Sequence, residues 1–264
     1  MIDFECKERY DVADLVRIME LLRAPGGCPW EREQTHQSIR RNMLEEAYEV
    51  VEAIDEEDPA HLKEELGDVL LQVVFHACMA QEKGWFDLTD VADGVCKKLV
   101  FRHPHVFGTV EADDTEKALN AWDAQKQREK GQKTAGDTLD AVARSLPGLM
   151  RAEKIQDKAR KAGFDWDETD KAVEKLSEEV EELKQAIRDG SNTQEELGDV
   201  LFAAAKVGRF LGHDSEQALH GTCEKFITRF RRVEEQADGT PLREYPLSEL
   251  ERMWQDAKKL EHTV

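Results

Sequence analysis

The sequence predicts an all-α protein built from two like helical units. Three observations lead there. Apolar residues recur at helical spacing through most segments, and no stretch alternates polar and apolar residues as a strand would. Breaks rich in Gly, Pro, Asn and Asp separate those segments. One acidic pattern also occurs twice. The first copy is Leu44-Glu45-Glu46-Ala47-Tyr48-Glu49, followed by Glu64-Glu65-Leu66-Gly67-Asp68. The second is Glu178-Glu179-Val180-Glu181-Glu182, followed by Glu195-Glu196-Leu197-Gly198-Asp199.

Val12, Leu15, Val16, Met19 and Leu22 give Asp11 to Arg23 a helical period. Ala24 to Trp30 reads as a turn. Helices are expected from about Ser38 to Ile54 and from Ala60 to Lys83, where Gly84 stops the chain. Asp87 caps a fourth helix reaching about Phe101. Arg102-His103-Pro104-His105-Val106-Phe107-Gly108 reads as a loop, and Thr115 to Lys130 as a fifth helix. Residues 131–145 read as a polar linker. The pattern then restarts with helices at Leu149–Ala162 and Thr169–Ile187. Thr193 is the expected cap of a helix over Gln194–Leu211, and further helices cover Ser215–Gln236 and Leu247–Leu260.

The repetition extends beyond the acids. Trp30 and Trp166 each lie in the turn before an acidic helix, where they are expected to pack structurally beneath it. Lys98-x-x-x-Arg102 matches Lys225-x-x-x-Arg229, and Trp122-x-x-x-Lys126 matches Trp254-x-x-x-Lys258. These features keep one order at offsets between 127 and 136 residues, the mark of a duplicated helical unit. The expected domains are 1–130 and 146–264, joined by the linker.

The acids sit inside core-forming sequence, with Val69-Leu70-Leu71 after Asp68 and Val200-Leu201-Phe202 after Asp199. They are therefore expected at the buried ends of these helices. Glu46 and Glu49 are three apart, Glu45 and Glu49 four apart, and Glu65 and Asp68 three apart, so each set shares a helix face. A short connection at Asp58-Pro59 makes the two helices antiparallel neighbours. Carboxylates brought together repel unless a cation lies between them. A hard, oxygen-seeking ion answers that need: Mg²⁺, with Mn²⁺ as substitute.

Composition excludes several classes. A net charge of -20 argues against a nucleic-acid-binding surface. Five widely spaced cysteines without a CxxC pair point to reduced thiols in a cytoplasm and to no zinc framework. Met1 to Glu8 lacks the apolar stretch of a signal peptide, and no apolar run is long enough to cross a membrane.

The paired EExxE…ExxD pattern, the Cys28-Pro29-Trp30 turn, the Arg102-to-Phe107 stretch and the tandem arrangement resemble the MazG nucleoside triphosphate pyrophosphohydrolases over almost the whole chain. The resemblance implies an all-α homodimer of four-helix-bundle type, with Mg²⁺-dependent cleavage of nucleoside triphosphates to monophosphate and pyrophosphate. It assigns metal binding to Glu179, Glu182, Glu196 and Asp199 in the second half, and to Glu46, Glu49, Glu65 and Asp68 in the first. A spare carboxylate, Glu178 or Glu45, orients or deprotonates the attacking water. Lys225 and Arg229 are expected to grip the triphosphate, or else to be ordinary surface cations; Trp254 is expected to stack on the base, or else to be a core or dimer-interface residue, with Lys258 one turn on as a further phosphate or base contact. Lys98, Arg102, Trp122 and Lys126 are the first-half counterparts. Few polar groups are placed to read a base edge, so broad base tolerance is expected.

Lys175 precedes Glu179 by four residues, whereas Asn42 holds the matching place before Glu46. Arg231 and Arg232 add charge to the second half, which is therefore the expected main catalytic unit. Arg40 and Arg41 are the first half's nearest substitutes. His103 and His105 flank Pro104, lack a second-half counterpart and read as structural. A di-iron carboxylate bundle wants two Glu-x-x-His helices, and only Glu33-x-x-His36 has that form. The non-catalytic alternative is a divalent-cation-binding helical dimer module that docks on a partner protein.

Overall fold

A computed structural model describes residues 4–109 and 114–261. Of the amino-terminal stretch read for a signal peptide, residues 1–3 lie outside the described residues. The chain divides into unit 1, Met1–Lys126, and unit 2, Gln127–Val264.

Unit 1 begins with α1 (Val12–Arg23), whose N-cap Asp11 forms a reciprocal capping box with Asp14. A short α2 (Pro29–Glu33) occupies the end of the stretch read as a turn. The acidic helices follow as α3 (Arg40–Asp55) and α4 (Pro59–Glu82). Asp58 caps α4 by accepting from the amides of Ala60 and His61, which fixes the tight reversal between the two helices. They pack along each other as antiparallel neighbours. Gly84, at φ +68°, ends α4, and the Trp85 amide returns to the Ala80 carbonyl at 3.0 Å. The capping box of Asp87 with Asp90 starts α5 (Leu88–Arg102).

The expected loop after α5 instead forms a single turn, α6 (Pro104–Phe107), with Pro104 at its first position, where the missing N–H costs nothing. α7 (Thr115–Glu129) crosses the boundary between the units. The unit 1 core joins Met19 of α1, Ile39 and α4 residues Val74, Phe75, Cys78 and Met79.

In unit 2, α8 (Ala135–Asp140) lies within the stretch read as a linker, started by a Thr134/Asp137 capping box. Then come α9 (Gly148–Lys161), α10 (Thr169–Asp189), α11 (Thr193–Phe210), α12 (Ser215–Gln236) and α13 (Leu247–Glu261). α10 and α11 form the close antiparallel pair, and α12 packs on α13 through Val233, Met253 and Ala257. Gly190, at φ +67°, closes α10. Thr193 is not the cap of α11: Asn192, at φ +51°, takes that place, and Thr193 is the first helical residue. Asn tolerates this left-handed conformation better than the β-branched Thr does.

The expected burial of the acids holds for Glu179 on α10, which is 8% exposed, but not for the acids of α4. On α4 the buried stretch is Gln72 to Ala80, which follows Glu65 and Asp68 rather than containing them. Each turn tryptophan meets the second helix of its pair: Trp30 tilts against Phe75 at 6.5 Å, and Trp166 lies under Lys206 Nζ at 3.8 Å. Trp30 remains 56% exposed, so it covers Phe75 from outside rather than filling the core. Among the described residues, every regular element is helical, and no helix is long and apolar enough to cross a membrane.

Candidate active site

Two carboxylate clusters form, one per unit. In unit 1, Glu46 and Glu49 of α3 and Glu65 of α4 place one oxygen each within 4.8 Å of one another. In unit 2, Glu179 of α10 and Glu196 and Asp199 of α11 do the same. Three of the four expected metal ligands therefore meet in each unit, and the fourth lies close by. Asp68 is near enough to repel charge on Glu46, and Glu182 hydrogen-bonds to Glu179.

Their electrostatics show how crowded these sites are. Burial, a hydrogen bond from protonated Glu46 to Glu49 and the charges of Asp68 and Glu49 push the Glu46 carboxyl above its ordinary value. Glu182 is raised too, chiefly by its hydrogen bond with Glu179 and by desolvation. A divalent ion held between such carboxyls would offset their mutual repulsion and displace any proton they hold. Glu65 Oε2 is buried without a hydrogen-bond partner. An all-oxygen donor set with an orphaned carboxylate oxygen suits Mg²⁺ or Mn²⁺.

The cation facing each cluster differs. In unit 2, Lys175 Nζ lies 2.8 Å from Glu179 and 2.9 Å from Glu178. Those bonds, first to Glu179 and then to Glu178, raise the lysine above its ordinary value. In unit 1, Asn42 replaces the lysine, and the basic group comes from the opposite helix. His61 Nε2 lies 3.2 Å from Glu65, and its Nδ1 lies 2.9 Å from Glu56. Along the EELGD register the unit 2 counterpart of His61 is Asn192. Each unit thus pairs one base with one asparagine, on exchanged helices.

Glu178 and Glu45, read as candidate bases, stand outside the three-oxygen groups. Both are exposed, and Glu45 pairs with Arg41 at 2.8 Å. The remaining candidates form separate groupings. In unit 1, Arg102 and Lys126 lie over the Trp122 ring at 5.3 and 4.5 Å, while Lys98 is exposed. In unit 2, Arg229 lies over Trp254 at 5.8 Å, and Lys225 and Lys258 are exposed. Trp254 is half-buried, packed against the Val233–Met253–Ala257 cluster. Phe226, 54% exposed, tilts against it at 4.9 Å and offers the accessible aromatic face.

Sequence reading missed His61, Gln72 and a depression at the start of α11. Gln72 donates to Glu46 at 3.4 Å. Asn192, Gln194, Glu195 and Gly198 line an open depression at the start of α11, next in sequence to Glu196 and Asp199. The signal available for His61 was its spacing four residues before Glu65.

A family model described as the MazG nucleotide pyrophosphohydrolase domain matches residues 34–107 and again 168–233, spans that hold both carboxylate clusters. A Thermotoga maritima protein named nucleoside triphosphate pyrophosphohydrolase/pyrophosphatase MazG is 44% identical over 247 residues, covering 93% of this chain and 94% of that protein. An Escherichia coli nucleoside triphosphate pyrophosphohydrolase is 44% identical over 254 residues, covering 94% and 97%. The crystal structure of a mazG-related protein from Thermotoga maritima aligns with 44% of this chain and 98% of its own, at 30% identity and a TM-score of 0.38. With both acidic helix pairs inside the matched spans and full-length relatives at this identity, the chain belongs to the MazG nucleotide pyrophosphohydrolase family.

Proposed function

We propose that this chain is a Mg²⁺-dependent nucleoside triphosphate pyrophosphohydrolase, converting its substrate to the nucleoside monophosphate and pyrophosphate, with unit 2 as the main catalytic unit. The observation that carries this reading is the Glu179–Glu196–Asp199 cluster with Lys175 bonded to it, inside a span matched by the family model. Glu179, Glu182, Glu196 and Asp199 hold the ion. Bound Mg²⁺ supplies neutralisation of charge on the phosphate oxygens and on the leaving pyrophosphate. Glu178 accepts the proton of the water that attacks the α-phosphorus, a role for which Glu45 is the unit 1 counterpart. Lys175, Lys225, Arg229 and Lys258 meet the triphosphate, and Trp254 with Phe226 takes the base by stacking. Stacking is sequence-tolerant, which supports broad base tolerance.

The active species is a homodimer. Leu66 and Leu70 on α4, and Val91, Val95 and Leu99 on α5, form an exposed apolar row. Leu197 and Leu201 on α11 repeat the α4 pair at matching positions, and Leu219 and Ile227 on α12 are exposed as well. Exposed rows of this size suit a second copy of the chain. The net charge disfavours nucleic acid, and the five free cysteines fit a reducing cytoplasm.

Incubation with a nucleotide panel and Mg²⁺, with chromatographic analysis of products, tests the reading. Monophosphate with pyrophosphate is expected. A nucleoside diphosphate, or no turnover of any nucleotide, rejects it. The latter outcome favours a cation-binding module that docks on a partner.

A further inference from the structure

Gln72 is a buried polar residue that the catalytic scheme does not use. It lies on α4 one turn after Asp68 and is 7% exposed. Its Nε2 donates to Glu46, while its Oε1 is buried and finds no partner. Turning the amide over exchanges these two atoms and still leaves one polar atom orphaned beside the cluster. Glu65, whose ligand oxygen lies within 4.8 Å of that of Glu46, holds a second orphaned oxygen. Buried acceptors without donors point to a bound cation or its water shell.

Unit 2 differs at this place. Along the EELGD register, Gln72 corresponds to Ala203, which is buried and apolar. The carboxylate that Gln72 holds in unit 1, Glu46, corresponds to Glu179, which Lys175 holds in unit 2. A neutral amide thus does in one unit what an ammonium does in the other. The ammonium competes with a metal ion for Glu179 and also matches a triphosphate. The amide orients its carboxylate without adding positive charge beside Glu46, where unit 2 has the ammonium. Among the described residues, His61 is the basic residue bonded to that cluster, through Glu65, and it is shared with Glu56.

We propose that Gln72 is a positioning residue that makes the unit 1 carboxylates a nucleotide-independent divalent-cation site, whereas the unit 2 cluster takes its ion together with the nucleotide. This rests on the reading of both clusters as metal centres.

The experiment is a Mn²⁺ titration of the full chain without nucleotide, followed by the paramagnetic signal of free Mn²⁺, with melting curves in Mn²⁺ and in EDTA. One tight Mn²⁺ class per chain is expected, lost in Glu65→Gln and kept in Asp199→Asn. Gln72→Met weakens it about tenfold, the usual scale for a group that orients a ligand. The same variant shrinks the Mn²⁺-induced rise in melting temperature and leaves the EDTA melt in place. Loss of the tight class in Asp199→Asn, or unchanged affinity in Gln72→Met, overturns the proposal. So does an equal fall of both melting curves, which a purely structural glutamine would give. If Gln72→Met does not fold, Gln72→Glu decides: tighter Mn²⁺ binding with a lower EDTA melt supports the proposal, and unchanged binding refutes it. Pyrophosphate release from the same wild-type sample separates the readings. No hydrolysis with the Mn²⁺ pattern intact rejects the hydrolase reading alone, and hydrolysis without the pattern rejects this one alone.

Discussion

The ammonium of Lys175 bridges Glu178 and Glu179, 2.9 and 2.8 Å away, and so occupies the rim of the unit 2 cluster with positive charge. Lys175→Met is therefore expected to raise KM for a nucleoside triphosphate about tenfold or more, with a smaller fall in kcat, because the lysine is placed to meet the substrate. Steady-state pyrophosphate release checks this. Asn42→Lys in unit 1 is the control and should leave turnover unchanged.

With Asp199 as a ligand of the proposed ion, Asp199→Asn is expected to lower turnover about a hundredfold or more, exceeding the usual cost of removing a neighbouring group. Asp68→Asn should retain most activity, because unit 1 lacks the lysine. A side-by-side assay decides, and the reverse order of losses would move catalysis to unit 1. Glu179→Gln should also abolish turnover while melting no lower than wild type in EDTA, since it removes like-charge repulsion within the cluster.

Asp165 precedes Trp166 and accepts two bonds from Arg209, at 2.6 and 2.8 Å, with Lys206 3.5 Å away. All three side chains are nearly covered. Asp165→Ala leaves two partly buried cations unpaired and is expected to cost about 3 kcal/mol of stability, measured by urea unfolding. Burial raises the Asp165 carboxyl. The Arg209 bond and charge, the Trp166 amide and Lys206 outweigh that and hold it below the ordinary value. A depressed folded-state carboxyl contributes stability above its unfolded value, near 3.8, and loses it as pH falls through the folded value. Asp165→Asn should flatten the acid limb of the unfolding curve.

His36 and His76 stack at 5.1 Å with their Nδ1 atoms 2.8 Å apart, and Trp85 stacks on His36 at 5.6 Å. Two nitrogens at that distance share one proton. Burial, then Lys83 and Arg23, lowers His36, and burial, then His36, lowers His76. A histidine depressed in the folded state binds protons more readily when unfolded, so stability is full above the unfolded value of 6.5 and falls as pH drops below it. Unfolding of the full chain between pH 5 and pH 7.5 should show this slope, and His76→Phe should reduce it.

Much of the fold was readable because its signals are local. Asp87 with Asp90 announces the start of α5, and Gly84 announces the end of α4. The two EELGD runs mark matching helices in both units. α2, α6 and α8 were missed, although Pro29, Pro104 and the Thr134-x-x-Asp137 pattern are start signals; one or two turns are too short for periodicity to register. The carboxylates were legible because three- and four-residue spacings decide which of them share a face. Gln72 was not. In Leu71-Gln72-Val73 it reads as a stray polar residue, and only the packing of α3 against α4 brings it to Glu46. The His36–His76 pair spans 40 residues and leaves no trace in either local pattern.

The repeated apolar row has a consequence for assembly. A chain with one self-pairing face per unit is bivalent. When both faces engage the same second copy, the assembly closes as a pair, and the covalent link between units gives the second contact a high effective concentration. When the faces engage different copies, the product is an open string that lengthens with concentration. Mass measured against protein concentration therefore separates the closed pair from the open string. Charging one row, by Leu201→Glu or Leu70→Glu, leaves a monovalent chain that stops at two copies however concentrated the solution.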